Sequence, residues 1–455
     1  MRSGSDREIV RLAVPAFLAL VAEPLFLMAD AAIVGHLGTA PLAGLGLAGV
    51  VLQTAVGLCV FLAYGTTSSV ARQLGAGDRA GALAQGIDGL WLAVLIGLLT
   101  TVAGVALTGP LVALFGTSAA VAGPATTYLR LAFLGTTPLL VMLAATGVLR
   151  GLQDTRTPLA VAVGANVLNV ALNLLLVYGL GPVAGLGIAG SALGSVLAQV
   201  ASAVVLTAVV VRAARRHGAP LRPDRAGIRA AAHAGAALVV RTLTLRAALL
   251  VTTYAVTLGA TSARGQEVDL ATHQLASTVW SFLAFALDAL AIAAQAVTGR
   301  ALGAGDVEGT RALTRRMVKW GAACGVVTGL LLAAVSPLLG PLFTGDQAVH
   351  RALVPVLLVA ALGQPVAGVV FVLDGVLIGA GDGSYLARGG LVTLVVYAPV
   401  VLLVAAGSLG LVAVWACFAG LFMGARLVVL LRRARGDAWL VTGAPPVRRA
   451  APDPS

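Results

Sequence analysis

Apolar stretches long enough to cross a lipid bilayer recur along the whole chain, and few charges interrupt them. Runs broken by charge, glycine and proline predict helices near residues 8–34, 41–71, 80–108, 120–149, 157–179 and 185–212, and a second set near 229–260, 268–299, 309–340, 350–379, 385–406 and 410–433. A crossing takes about 20 apolar residues, so each run is long enough. With 59% hydrophobic and 11% charged residues over 455 positions, no large aqueous domain fits between them. The expected fold class is all-α and integral to the membrane, with twelve transmembrane helices.

Lysine and arginine exceed aspartate and glutamate by 30 to 18. The excess is confined to short loops and tails, which argues for topology rather than a nucleic-acid partner. Arginines fall at the start of the chain, at Arg72 and Arg79, at Arg150 and Arg156, through 212–229, from Arg300 to Arg316, at Arg388 and in the tail. The intervening loops near 36–40, 109–119, 180–184 and 407–409 carry no lysine or arginine, and only Arg264 and Arg351 flank the other two. The positive-inside rule then places both termini in the cytosol, and the expected location is the plasma (inner) membrane, crossed many times. Cys59, Cys324 and Cys417 lie in apolar runs and imply no disulfide framework. The opening segment lacks a small-residue cleavage site and is expected to be retained as the first helix.

The chain also matches itself. RQLGAGD from Arg72 returns as RALGAGD from Arg300, and GVLRGLQD from Gly147 returns as GVLIGAGD from Gly375, both 228 residues on. One spacing for both blocks indicates duplication. Six crossings per copy is an even number, so the copies are expected to be parallel repeats. The expected organisation is an amino-terminal lobe over 1–212, a basic cytosolic linker over 213–228, a carboxy-terminal lobe over 229–433 and a disordered cytosolic tail over 434–455.

Two similar bundles suit alternating access, in which one lobe rocks against the other. The only lysine, Lys319, follows Val318, so the chain holds no Walker A loop and is not itself an ATP-driven pump. HExxH is absent, and His36, His217, His233, His273 and His350 lack metal-ligand spacing. A secondary transporter, a lipid flippase and a membrane enzyme with sparse catalytic residues remain open.

PLFLMADAAIVGHLG at 24–38, the paired LGAGD blocks, GVLRGLQDTRTP at 147–158, NVLNVALNLLLVYGLG at 166–181 and FALDALAIAAQAVTGRALGAGD at 285–306 together resemble the multidrug and toxic compound extrusion (MATE) family, within it the DinF-like branch. The likeness extends over about residues 8–433. It implies two six-helix lobes forming a V, and export of amphipathic or cationic drugs and metabolites in exchange for protons or sodium. No enzymatic activity, cofactor or metal centre is expected. The expected partners are a small-molecule substrate and the bilayer, with no nucleic acid, and the chain is expected to act as a monomer.

Ionised carboxylates cost about 2.5–3.5 kcal/mol at a helix centre on insertion scales, so each intramembrane acid needs a partner or a function. Glu23 and Asp30 stand seven residues apart on one face of the first helix, with Pro24 favouring a bend. Asp88, Asp288 and Asp374 complete the set. The MATE resemblance assigns Asp30 to cation coupling. Relatives pair that aspartate with an asparagine and an acid on the fifth helix, whereas this chain has Asn169 and Asn173 there, so the second acid is missing. Asn166, Asn169 and Asn173 share a helical face and could hydrogen-bond Asp30, or could serve as interhelical glue. Burial disfavours the charged form of Asp30, so proton entry is expected to compete with substrate and drive its release.

By depth along their helices, Asp288 and Arg246 could pair, with Arg241 nearer the boundary. A structural ion pair and a gating or substrate role are both open. The NorM-like branch carries an acid on its seventh helix, and this chain has none. Asp374 lies too near the cytosolic boundary to replace it. Gln295 continues the DinF-like signature as a substrate or structural residue, and His273 is read as a packing histidine. Asp78 and Asp306 are expected to cap helices. Sodium coupling is the alternative to protons, since Asp30 and asparagine oxygens could hold a hard cation. A lipid-linked flippase ranks lower, because only Arg130, Arg241 and Arg246 could make its cavity cationic. A magnesium-dependent prenyl-transfer enzyme would need clustered acids that the chain lacks.

Overall fold

The computed structural model describes residues 2–180, 183–260 and 262–444. Helices α1 (Arg2–Gly35), α2 (Thr39–Cys59), α3 (Phe61–Gly75), α4 (Arg79–Ala113), α5 (Ala119–Leu134), α6 (Thr136–Gly151) and α7 (Arg156–Tyr178) lead to a two-residue antiparallel pairing of β1 (Gly179–Leu180) with β2 (Val183–Ala184). Then follow α8 (Ile188–Arg216), α9 (Arg225–Gly259), α10 (Ala263–Gly303), α11 (Val307–Phe343), α12 (Gln347–Gly379), α13 (Gly383–Ala406), α14 (Leu411–Ala416), a π-helical turn (Cys417–Phe422) and α15 (Met423–Arg435). Among the described residues, eleven spans are long and apolar enough to cross a bilayer, and the bent pair α5–α6 makes a twelfth. Helices dominate because hydrocarbon offers backbone groups no hydrogen bonds of its own. Leu99, Leu362 and Leu403 are each more than two-thirds exposed, a surface that only lipid tolerates.

Two predicted spans are not single rods. The second breaks at Val60 into α2 and α3. The fourth bends by 47° between α5 and α6. Pro138 explains the bend, because its ring clashes with the carbonyl four residues back, at Leu134, and it has no N–H to offer there.

The 228-residue register is visible in the backbone. Gly77 and Gly305 take the left-handed φ values of 80° and 77°. The following aspartates, Asp78 and Asp306, each accept a hydrogen bond at 2.7 Å from a helix N–H, that of Gly81 and Gly309 respectively. A Cβ on Gly147 would approach the Ala63 carbonyl oxygen to 2.5 Å, and one on Gly375 would approach that of Ala291 to 2.2 Å. The α3–α6 crossing of the first copy thus recurs as the α10–α12 crossing of the second.

The chain divides into two compact units. One comprises Val14–Gly235, and the other joins Met1–Ala13 to Ala236–Thr442. This differs from the expected boundaries at both ends of the first lobe. The start of α1 belongs with the second unit because Asp6 pairs with Arg316 and accepts from Trp320 Nε1 at 2.9 Å, while Glu8 accepts from Arg300 at 2.6 Å. Half of the expected 213–228 linker is helical, since arginine and alanine are good helix formers; 217–224 runs between α8 and α9. Those residues are held to α4, where Trp91 Nε1 donates to the Leu221 carbonyl at 3.1 Å and the Asp224 N–H donates to Asp88 at 3.0 Å. The expected disordered tail is also ordered where it is described: Trp439 is 1% exposed and donates to the Ala434 carbonyl, and Asp437 pairs with Arg311. Residues 445–455 lie outside the described residues.

Candidate functional site

Within the first unit, Val34, Leu45, Ala48, Val112, Leu129 and Phe133 build an apolar core around Tyr128. The Tyr128 hydroxyl leaves that core to donate to Asp30 Oδ2 at 3.1 Å. Asp30, 2% exposed, receives two more hydrogen bonds at Oδ1, from Asn173 Nδ2 at 2.8 Å and from the Ser191 hydroxyl. Ser191 lies in the first turn of α8, whose positive dipole end favours a negative charge beside it. Asn173 Nδ2 also reaches Asn169 Oδ1 at 3.2 Å, and Asn169 passes the chain on to Ser195 Oγ at 3.1 Å. All of these partners are uncharged.

Helix α7 is stapled to α1 at three levels: Asn166 donates to the Ala22 carbonyl at 2.7 Å, Asn173 to Asp30, and Tyr178 to the Ile33 carbonyl at 2.7 Å. The three asparagines of α7 therefore act differently. Asn173 touches the carboxylate, Asn169 supports Asn173, and Asn166 holds backbone two turns away. Glu23 is exposed and has no hydrogen-bond partner among the described residues, so the structure does not bring it to Asp30.

Sequence reasoning missed Tyr128, Ser191 and Ser195. The i, i+4 spacing of the serines was a readable signal. Tyr128 sits in an apolar run and offered none. At the corresponding positions of the second copy, 228 residues after Asp30, Asn169 and Asn173, stand Leu258, Tyr397 and Val401. There the Tyr397 hydroxyl meets Thr252 at 2.6 Å and its ring lies 5.2 Å from that of Phe422.

The second unit has its own buried charge cluster, and it is not the expected Asp288–Arg246 pair. Arg246 is exposed and forms no ion pair among the described residues, while Asp288 is half-buried. Instead Asp374 accepts from Arg241 at 2.6 Å and from Arg426. Depth along single helices misjudged this, because α9, α12 and α15 contribute one residue each. Asp88 serves the 217–224 loop, and Gln295 lends its carbonyl to the α10–α12 crossing, where a Cβ on Gly379 would approach it to 2.4 Å. His273 Nε2 lies 3.0 Å from the Thr253 hydroxyl, and the ring lies edge-on to Trp415.

The MatE family profile matches residues 15–175 and 244–403, one stretch in each copy of the repeat. Protein DETOXIFICATION 44, chloroplastic, of Arabidopsis thaliana is 31% identical over 438 residues, covering 92% of this chain and 80% of that protein. DNA damage-inducible protein F of Escherichia coli is 28% identical over 387 residues, covering 83% of this chain and 81% of that protein. A solved structure of a MOP superfamily transporter from Pyrococcus furiosus shares the fold with a TM-score of 0.84 at 22% identity, covering 94% of this chain and 96% of that one. A Vibrio cholerae MATE transporter in its bent form gives 0.84 at 20% identity, covering 95% and 98%. With the profile matching most of the chain and the fold shared from end to end, the protein belongs to the MATE family and is a multi-pass membrane transporter, not an enzyme.

Proposed function

We propose that this transporter exports amphipathic or cationic compounds in exchange for protons, with Asp30 as the group that takes and releases the proton. The observation that carries this is a carboxylate 2% exposed whose three hydrogen-bond partners are all neutral. Burial without a countercharge penalises the ionised form, so a proton or a cation is bound there at little cost. Tyr128, Asn173 and Ser191 hold the carboxylate in place through their hydrogen bonds. The arginine-rich loops support cytosolic termini.

Sodium coupling is a second reading, favoured by one observation. Asn173 Oδ1 is buried and accepts no hydrogen bond among the described residues, and it belongs to the amide that donates to Asp30, an oxygen of the kind a hard cation takes. Reconstituted vesicles with an imposed pH gradient or an imposed sodium gradient separate the two, with a fluorescent organic cation as the cargo. Proton coupling predicts cargo movement with the pH gradient alone, and its loss in Asp30→Asn. Gradient-driven movement retained in Asp30→Asn would remove that residue from the mechanism.

A further inference from the structure

We infer that the segment joining α8 to α9, with the helix ends on either side of it, binds the phosphate headgroups of anionic lipids in the adjoining leaflet of the bilayer. Residues 212–229 hold six arginines, Arg212, Arg215, Arg216, Arg222, Arg225 and Arg229, against a single acid, Asp224. All six are exposed, and none forms an ion pair among the described residues. The other unit treats arginines differently: Arg300, Arg311, Arg316 and Arg433 each meet a carboxylate, those of Glu8, Asp437, Asp6 and Asp382. The nearby acids of the first unit are spent on backbone. Asp224 accepts the N–H groups of Ala226 and Gly227 at 3.3 Å, and Asp88, 6% exposed, accepts that of Asp224.

Position decides the partner. On α4, Trp91, Leu95, Leu98 and Val102 recur at i, i+4, i+7 and i+11 and are 39% to 68% exposed, a bare apolar face that suits lipid. Trp91 ends that face, and tryptophan is enriched at the boundary between membrane and water. Its Nε1 donates to the Leu221 carbonyl at 3.1 Å, which holds the residue before Arg222 at the same level. On α8, exposed Leu197, Val200 and Val204 make a similar face, and Arg215, about five turns after Leu197, prolongs it. The connection is stiff: Gly218 takes a φ of 68°, the Ala219 N–H donates to the Ala214 carbonyl at 2.9 Å, and Pro220 and Pro223 fix their own φ. Guanidinium forks match phosphate oxygens in pairs, and each arginine near an anionic surface adds to the attraction. A free anion would meet the arginines alone, whereas a lipid offers them its headgroup and lays its chains on the apolar faces. The inference does not rest on the coupling role proposed for Asp30.

The test uses the full-length protein in phosphatidylcholine vesicles that carry increasing fractions of phosphatidylglycerol, with brominated chains on one lipid or the other. Quenching of Trp91 fluorescence is read as the difference from Trp91→Phe. Brominated phosphatidylglycerol is expected to be enriched beside Trp91 by about threefold or more over brominated phosphatidylcholine. The triple variant Arg215→Gln, Arg216→Gln, Arg222→Gln, which alters only exposed side chains, should abolish the enrichment. Removing as much charge elsewhere, with Arg388→Gln, Arg432→Gln and Arg435→Gln, should leave it. Raising the ionic strength should weaken it, and this carries the comparison if the first variant does not reconstitute. Equal quenching by the two lipids, enrichment that survives the first variant or high salt, or equal loss in the second variant overturns the proposal. Inorganic phosphate or polyglutamate that removes the enrichment at an ionic strength where chloride does not would assign the surface to a soluble anion and overturn it as well. Because only lipid proximity is read, a negative result here leaves the coupling role of Asp30 untouched, and a negative transport result leaves this surface untouched.

Discussion

Asn173 donates to Asp30 at 2.8 Å across 143 residues of sequence, joining the seventh helix to the first at the middle of three bridges. Hydrogen bonds to a charged group contribute about 1.5–3 kcal/mol, more than neutral ones. Asn173→Ala is therefore expected to lower stability by about 2 kcal/mol or less, with the upper part of that range reached only if Asp30 stays ionised. Gradient-driven cargo movement in vesicles should fall at least tenfold, while Asn166→Ala, which loses only a backbone contact, should leave more than half of it.

Gly194 faces the same asparagine. A Cβ at that position would approach Asn173 Oδ1 to 2.1 Å, which forces the amide to rotate or withdraw. Gly194→Ala should accordingly yield folded protein, because the clash is with a side-chain end, and should reduce transport as strongly as Asn173→Ala. Combining the two should add little, since both act on one contact.

The twin caps offer a check on the duplication. Asp78→Ala and Asp306→Ala each remove one cap hydrogen bond of 2.7 Å, and each should cost about 1 kcal/mol, the usual loss for such a change. Thermal unfolding of the two single variants and the double variant should show similar, additive effects.

Asp374 pairs with two guanidinium groups, so replacing it removes the carboxylate that both of them bind. Asp374→Asn is expected to destabilise the second unit by about 3–5 kcal/mol, the range for breaking a buried ion pair. Replacing Arg426 by Gln in the same chain should recover part of that loss in the unfolding midpoint.

Outside the membrane, the backbone N–H of Ala348 and then the Arg264 guanidinium hold the Asp346 carboxyl below its ordinary value of 3.8. A carboxylate depressed on folding contributes stability above its unfolded value and loses it as pH falls through the folded one. The stability difference between the parent and Asp346→Asn should thus be present at neutral pH and vanish on acidification below pH 3.8, as followed by unfolding midpoints across that range.

Much of this was legible in the residues. Long apolar runs fold as helices in hydrocarbon, so span positions followed from the pattern of those runs, and the aspartates of the shared GAGD blocks foretold the caps. What was not legible depends on contacts between distant helices. Tyr128 reaches Asp30 from inside an apolar core, and Arg426 reaches Asp374 from the last helix; neither leaves a mark in local spacing. The break at Val60 has no proline to announce it. The 213–228 segment looked like a linker because it is polar, although Ala and Arg favour helix as readily as they favour water.

The contrast between the two copies has a further effect. Leu258, Tyr397 and Val401 occupy the places of Asp30, Asn169 and Asn173, and none of them changes charge near neutrality. On the coupling proposed for Asp30, a proton has a carboxylate to bind in one copy and no such group at the matching place in the other. The duplication thus left the two copies alike in caps and helix crossings and unlike in the groups that could carry charge across the membrane.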